Sequence, residues 1–537
     1  MIIIAMLRMF CQDIRDTIFP KRKLLKDLRA AWALPGSKEE PSADRYFELT
    51  RAQSISPCVD DRTWVDLEFP RIFLKMDTTL SAIGSQVLFK KMHTYDDVAH
   101  SFDAYGISQQ LRMDASARER IQCKLAPLRD SSNANIADFV FGRAPQAMAR
   151  RYRYLLLLWG LASVTALTAA ITVSFPIWIW AAIVAVNVVT IRMMSWTVHR
   201  DAETMKACLV MLRVADSLKT EKTHELSLLR HLADQASQRA NARQALGWMS
   251  KLQRPVVRDI SVWLTLFFLL ELIAYVYTVE RFLSAQPILA STFELLGALD
   301  ASIAVASYLE QFPQHCHPTI ANHRIIEILE GYHPLIASPV TNSVSLEHRS
   351  ALITGSNMAG KTTFIKMVAI NHVLGHTLGF CLAERAALPD CEVMTSIRGD
   401  HSVDSGKSHY FVEIEAMHTF IDATGRDNPP IFVIDELFRG TNTQERVALA
   451  RAVLENLSKY SLVLVTTHDV ELQPVLKDHY QLYHFQENPD VKGFFDYRLK
   501  LGESSERNAI RLFQRMDFPA SVVADAIRYA ADTQAVF

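Results

Sequence analysis

From Tyr154 to Ile191 the chain runs without a single Asp, Glu, Lys or Arg. One helix made of this stretch would reach nearly twice the ~30 Å thickness of a hydrocarbon core, at about 1.5 Å per residue. The pattern therefore predicts two antiparallel membrane-spanning helices. Pro176 falls near the middle, where a turn is needed, with Trp178 and Trp180 beside it as interfacial aromatics. Arg143, Arg150, Arg151 and Arg153 precede the stretch, and Arg192 and Arg200 follow it. Positive charge on both flanks predicts that both ends lie in the cytoplasm. The alternative is a helical hairpin buried in a large soluble core, which normally keeps charges on one exposed face.

A second apolar run spans Ile260 to Val279 and contains Glu271. Crossing a membrane alone, it would carry everything after it to the far side, including the G-x-x-x-x-G-K-T loop at Gly355–Thr362, a nucleotide-binding pattern that belongs on the cytosolic side. It is expected to be a core or interfacial helix. A third span would need a fourth near Leu283 to Leu309, and that one would have to bury Glu294 and Asp300. The N-terminal MIIIAMLRMF, interrupted by Arg8, reads as the start of an amphipathic or buried helix, with no signal-peptide cleavage site after it. Thr197 to Gln253 is helical in pattern and mixed in charge, as a solvated face is.

Short apolar runs in the C-terminal half read as buried strands, and each ends in chemistry. SALIT (Ser350–Thr354) leads into GSNMAGKT, which matches G-x-x-x-x-G-K-[ST], and the pattern after it is helical. Such a loop holds phosphates on backbone N–H groups at a helix N-terminus. Gly355, Ser356, Asn357, Met358, Ala359, Gly360, Lys361, Thr362 and Thr363 are the candidate nucleotide-binding residues. Lys361 is expected to reach the β- and γ-phosphates, and the Thr362 hydroxyl to bind Mg²⁺. The strand PPIFVIDEL (Pro429–Leu437) ends in two acids: Asp435 to hold Mg²⁺ through water and Glu436 to polarise the attacking water. SLVLVTTHD (Ser461–Asp469) carries His468, positioned to sense the γ-phosphate. Lys361, Glu436 and His468 are thus the catalytic candidates, Thr362 and Asp435 the metal candidates, and ATP with Mg²⁺ the expected cofactors.

Composition narrows the rest. The chain has 537 residues, enough for about three or four domains. With 49% hydrophobic and 21% charged residues, the composition argues against intrinsic disorder. The 57 Lys and Arg nearly balance the 58 Asp and Glu, so no global basic field marks a nucleic-acid binder, although a local basic groove stays open. Seven cysteines without a C-x-x-C pair fit free thiols in a reducing compartment.

TGSNMAGKTTF, DSGKSHYFVEIEAM, VIDELFRGTNTQE and TTHDVEL together resemble the four ATPase motifs of the MutS family. The loop departs from the family at Ser356, where proline is usual, and at Ala359, where glycine is usual. HCHPTI and GYHPLI resemble the segments leading into that ATPase, and LDASIAVAS a core helix. Asp60 to Met92 resembles the start of the helical core, and ERNAIRLFQRMDFP the C-terminal helix-turn.

The resemblance implies an ABC-like α/β P-loop NTPase domain preceded by a mostly α-helical core, into which the transmembrane hairpin is inserted. The expected divisions are 1–150 (N-terminal helical region and first part of the core), 151–194 (hairpin), 195–325 (lever and second part of the core) and 326–537 (ATPase). It further implies a homodimer with composite sites, in which Ser405, Gly406 and Ser408 act on the partner's nucleotide.

The family's mismatch wedge, Phe-x-Glu, occurs only at Phe411–Glu413 and Phe485–Glu487, inside or beyond the ATPase motifs. About sixty residues precede the core-like segment, few for a recognition domain. The expectation is a membrane-anchored ATPase switch at the inner (cytoplasmic) membrane, with its ATPase in the cytoplasm and an unidentified protein partner. The alternative is a DNA-binding protein acting in repair or recombination on mismatched or branched DNA. A transporter ATPase is disfavoured, since there is no LSGGQ-like segment and too few spans for a pathway.

Overall fold

The computed structural model describes residues 20–37, 40, 42–52, 54, 56–95, 103–129, 135–142, 145, 150–172, 176–221, 226–252, 263–312, 314–321, 324–397, 409–438, 440–487, 495–503 and 518–534. The N-terminal apolar run, Arg143, Ser405, Gly406, Ser408 and most of ERNAIRLFQRMDFP lie outside the described residues. Contacts divide the chain into two units: Met1–Ile55 with Leu74–Lys91 and Phe102–Gln311, and Ser56–Phe73 with Met92–Ser101 and Phe312–Phe537.

The first unit is helical. Four of its helices matter most: α1 (Arg150–Thr172), α2 (Ile177–Leu218), α3 (Ala236–Leu252) and α4 (Leu270–Leu309). Pro176 stands as N-cap of α2, between the two arms of the hairpin. The second arm does not stop where the charge-free run stops. Ala202, Met205, Leu209, Leu212 and Ala215 continue a buried stripe at helical spacing, so α2 runs on for 42 residues in all. Among the described residues three helices are long and apolar enough to cross a membrane, and they differ in what surrounds them. Only 11% of the Arg153–Thr172 window and 6% of the Ile177–Met194 window is buried, against 78% for Leu270–Leu309.

Glu294 and Asp300, the two acids in the later part of α4, are accommodated by partners within the first unit. Glu294 accepts a hydrogen bond from Tyr46 Oη at 2.6 Å. Asp300, fully buried, accepts from Leu80 N (3.0 Å), Ser81 N (2.9 Å) and Ser81 Oγ (2.6 Å). The approach that allows this needs glycines: a Cβ on Gly84 would lie 2.3 Å from Asp300 Oδ2, and one on Gly297 2.3 Å from Val87 Cγ2. Burial pushes the Asp300 carboxyl up to about 6 from its ordinary 3.8, against the pull of its hydrogen bonds; nearby Asp77 adds to the rise. A raised carboxyl favours the fold below its unfolded value, and that contribution is lost as pH rises through about 6. Asp300→Asn should therefore remove roughly 3 kcal/mol of pH dependence between about pH 4 and pH 6. A melting-temperature profile across that window checks it, and an unchanged slope would discard the assignment.

The second unit is built on a six-stranded sheet with order β10-β9-β4-β8-β7-β6. The strands are β4 (Ser350–Thr354), β6 (Val393–Ser396), β7 (Ile431–Asp435), β8 (Val463–Thr466), β9 (Tyr480–Glu487) and β10 (Phe495–Leu501), parallel except for β10. A smaller sheet of β1 (Thr319–Ala321), β2 (Ile325–Gly331), β3 (Asn342–Glu347) and β5 (Arg385–Pro389) has the order β1-β5-β2-β3. Strands β4 and β8 are buried at every position, which is why they read as unbroken apolar runs rather than alternating ones. Helices α5 (Lys361–Leu378), α6 (His409–Ala423) and α7 (Thr443–Tyr460) accompany them, and Phe420, Phe432, Leu454 and Val465 share one core.

The start of the segment expected to open the helical core, Asp60–Phe73, instead packs on this sheet. Strand β6 is an edge, and its free backbone groups are covered there. Thr63 Oγ1 accepts from Thr395 N (3.1 Å), and Asp66 Oδ2 accepts from Ile397 N and Thr395 Oγ1 (each 2.8 Å). Glu68 pairs with Lys366 of α5 at 3.0 Å. The second unit also resumes at Phe312 rather than 326, because β1 pairs in parallel with β5.

Candidate functional site

Parallel strands deliver their following loops to one end of the sheet, and the candidate residues follow β4, β7 and β8 there. After Thr354 the chain needs an immediate turn. Gly355 makes it at φ 135°, where a Cβ would lie 2.6 Å from Phe485 O. Asn357–Ala359 form a single 3-10 turn, Gly360 reverses the chain at φ 99°, and α5 begins at Lys361. The first amides of α5 have no intrahelical partner and form an anion-attracting end. Ser356 sits at φ −70°, close to the value proline would impose, so its departure from the family pattern leaves the backbone path intact. Ala359 is buried and lies in the 3-10 turn, outside the positive-φ positions, so a methyl group is tolerated there.

Two clusters result. In the first, Asp435 accepts from Thr362 Oγ1 at 2.9 Å and from Thr466 Oγ1. The register Asp435↔Thr466 on neighbouring strands brings these groups together. In the second, Lys361 is 2% exposed and its Nζ donates to Gly355 O (2.7 Å) and Ser356 O (3.1 Å). His468 Nε2 lies 3.1 Å from Lys361 Nζ and 2.9 Å from Glu436 Oε1. That one nitrogen accepts from the lysine or donates to the carboxylate, not both at once, so its tautomer reports which partner it serves. Glu436 is held at φ 58°, a left-handed conformation that is costly for glutamate, with its N–H donating to Thr466 O at 3.1 Å.

The remaining loop residues separate by exposure. Ser356 Oγ is buried and without a hydrogen-bond partner among the described residues. Met358 is exposed, and Thr363 faces a cavity beside the loop. The Asn357 side chain is outside the described residues.

That cavity, about 410 Å³, was not foreseen from the sequence. Tyr332, His333, Ile336, Val340, Met358 and Tyr497 line it together with the loop. Its volume and its apolar walls with a few polar groups suit a nucleoside-sized ligand. Leu335 N donates to His333 Nδ1 at 3.2 Å, so the neutral ring carries its proton on Nε2. Asn342 steadies Tyr497 by donating to its carbonyl (2.9 Å) while accepting from Leu499 N (2.7 Å). The signal available in advance was the aromatic pair of GYHPLI, but Tyr497 is remote in sequence and only strand pairing brings it near. Arg446 was also unforeseen: it grips Asp469, next to His468, at 2.8 and 2.6 Å. That contact raises the guanidinium above its usual range, chiefly through the hydrogen bond.

A mostly parallel α/β sheet with a glycine–lysine loop after one strand, an acidic pair after the next and a histidine after a third defines the class. Within it, residues 351–534 match the family described as MutS domain V. The chain is 31% identical over 256 residues to a DNA mismatch repair protein MutS of Natronomonas pharaonis, covering 45% of this chain and 29% of that protein. Over 272 residues it is 26% identical to the protein of that name in Leptospira interrogans, covering 48% and 32%. Over 220 residues it is 28% identical to MutS protein homolog 4 of Mus musculus, covering 37% and 23%. Residues 351–534 belong to the MutS family as its domain V. The matches take in about a third or less of these relatives' own lengths.

Proposed function

We propose that this protein is an ATPase of the P-loop type, anchored in a membrane, which uses ATP binding and hydrolysis to switch between conformations. The observation that carries the ATPase reading is the convergence of Lys361, Thr362, Asp435, Glu436 and His468 at one end of the sheet. The residues fit the ligand. The loop amides and Lys361 suit phosphates, the Ser356 hydroxyl, without a partner among the described residues, suits a phosphate oxygen, and the cavity beyond Thr363 suits the nucleoside. Thr362 and Asp435 are the pair of hard oxygen donors that would hold Mg²⁺, which needs few protein ligands and neutralises phosphate charge. Glu436, 9% exposed and clasped by His468, is the group to orient and deprotonate a water. His468 then reports on the terminal phosphate by exchanging its contact with Lys361.

Glu436→Gln is expected to bind ATP normally and to hydrolyse it about 10²-fold more slowly or worse. Single-turnover kinetics read both, and wild-type turnover would take Glu436 out of the chemistry. The family resemblance adds a homodimer with shared sites, Ser405, Gly406 and Ser408 reaching the partner's nucleotide. In mixtures of Ser405→Ala with Lys361→Ala protomers, heterodimers then keep one intact site and activity reappears. No recovery, with subunits shown to exchange, would mean sites complete within one chain.

The anchoring part rests on the exposure of the apolar hairpin, with the inner membrane as its bilayer and the ATPase in the cytoplasm. A second reading, action on DNA, is favoured by the mismatch repair names of its relatives. ATPase assays in detergent with linear, branched and mismatched DNA separate the two. Stimulation by one DNA structure, with affinity falling steeply with salt, would put the DNA reading first.

A further inference from the structure

The apolar segment from Trp263 to Val279 accompanies the hairpin. A short helical stretch, 263–268, ends at a break at Leu269 (φ 56°), and α4 resumes from Leu270. Contacts with α1 run antiparallel along it. Arg153 pairs with Glu280. Gly160 faces Ile273 and the Phe268 carbonyl, and a Cβ there would come within 3.2 Å of each. Ser163 reaches the Phe267 carbonyl. From Arg153 to Ser163 the rise is about 15 Å, half of a ~30 Å hydrocarbon core. Asn187 lies about 15 Å inside α2 from its start at Ile177, so both arms of the hairpin assign the break the same depth.

A helix broken at mid-depth strands backbone carbonyls where hydrocarbon offers no donor. Here donors are built in. Asn187 Nδ2 donates to Leu266 O (3.2 Å) and Phe267 O (2.9 Å), and Ser163 Oγ donates to Phe267 O (2.5 Å). Both side chains are completely buried, and Asn187 Oδ1 in turn accepts from Trp159 Nε1 at 2.9 Å. Past the break, Thr265 Oγ1 accepts from Glu271 N at 3.2 Å, and Glu271 occupies the first turn of α4, where the helix dipole favours a negative charge. The opposite side of the segment shows Trp263, Leu264 and Tyr277, 60%, 36% and 37% exposed. Ala242 and Leu246 of α3 share the core of Leu289 and Leu296 of α4, so the described helices before and after the segment pack together on one side of it.

We infer that 263–279 is a membrane-embedded half-span. It docks through its broken carbonyls on Asn187 and Ser163 of the hairpin and presents Trp263, Leu264 and Tyr277 to lipid acyl chains. Each protomer then places three elements in the bilayer, not two. The inference rests on the anchored reading, and one experiment separates their fates. The full-length protein in membrane vesicles is photolabelled with an acyl-phase trifluoromethyl aryl diazirine, with glutathione as aqueous scavenger, and adducts are mapped by peptide mass spectrometry. Adducts are expected on the hairpin and at Trp263, Leu264 and Tyr277, with none on 296–309. Adducts on the hairpin but none on 263–279 would overturn the half-span and leave the anchor standing; none on either overturns both. In Asn187→Leu, which keeps the hairpin apolar, labelling at Trp263 and Leu264 should fall several-fold while that of the hairpin holds. Unchanged labelling there would refute the docking.

Discussion

Replacing Lys361 by alanine should weaken ATP binding by about 10²-fold or more, since one charge-assisted contact contributes roughly 1.5–3 kcal/mol and this ammonium serves more than one phosphate. The geometry explains the size of the effect. The side chain is almost wholly buried and its ammonium is aimed by two loop carbonyls at the centre of the turn between Gly355 and Gly360. In that setting a lost positive charge is not replaced by water or by a neighbour. Lys361→Met, which keeps the apolar stem, separates loss of charge from collapse of the loop. Both variants should fail to bind in titration calorimetry while melting close to wild type. Native affinity in either would remove Lys361 from the phosphate site.

Replacing Tyr154–Arg192 with a short Gly-Ser loop should move the protein from a carbonate-resistant membrane fraction to a carbonate-extractable one, because the half-span 263–279 does not cross the bilayer and loses its docking partners Ser163 and Asn187 with the hairpin. The two hairpin windows expose most of an apolar surface that water penalises at about 25 cal/mol per Å². Surface patches of that extent on water-soluble monomers are rare and mark an interaction. ATP binding should survive, because the loop and its strands belong to the other compact unit. A full-length chain that stays monodisperse without detergent would end the anchored reading and move the DNA reading forward.

Much of the site could be read from the sequence because its chemistry is local. A strand, a glycine-flanked loop and a lysine opening a helix are contiguous, and the order of acidic pair and histidine behind them is carried by strands apolar enough to be recognised. The hairpin was legible for a similar reason: a long charge-free run with a central proline and arginines on its flanks admits few structures. The Leu270–Leu309 helix marks where that logic stops. Its hydropathy approaches that of the hairpin arms, but it is buried in the core of the first unit, and Tyr46, Leu80 and Ser81, more than two hundred residues away, satisfy Glu294 and Asp300.

What the sequence by itself determined is the order of candidate groups (the glycine–lysine loop, the acidic pair and the histidine) and the charge-free run of the hairpin, since each depends on residues adjacent along the chain or repeated at helical spacing. What only the tertiary structure decided is which groups meet. Strand register joins Thr362, Asp435 and Thr466. A left-handed Glu436 faces His468 beside the lysine. Asp60–Phe73 caps the edge of a sheet far away in sequence. Asn187 answers the carbonyls of a broken helix. These are hydrogen-bond demands created by folding itself. A carbonyl acquires its need for a donor only when the surrounding chain has taken its water away.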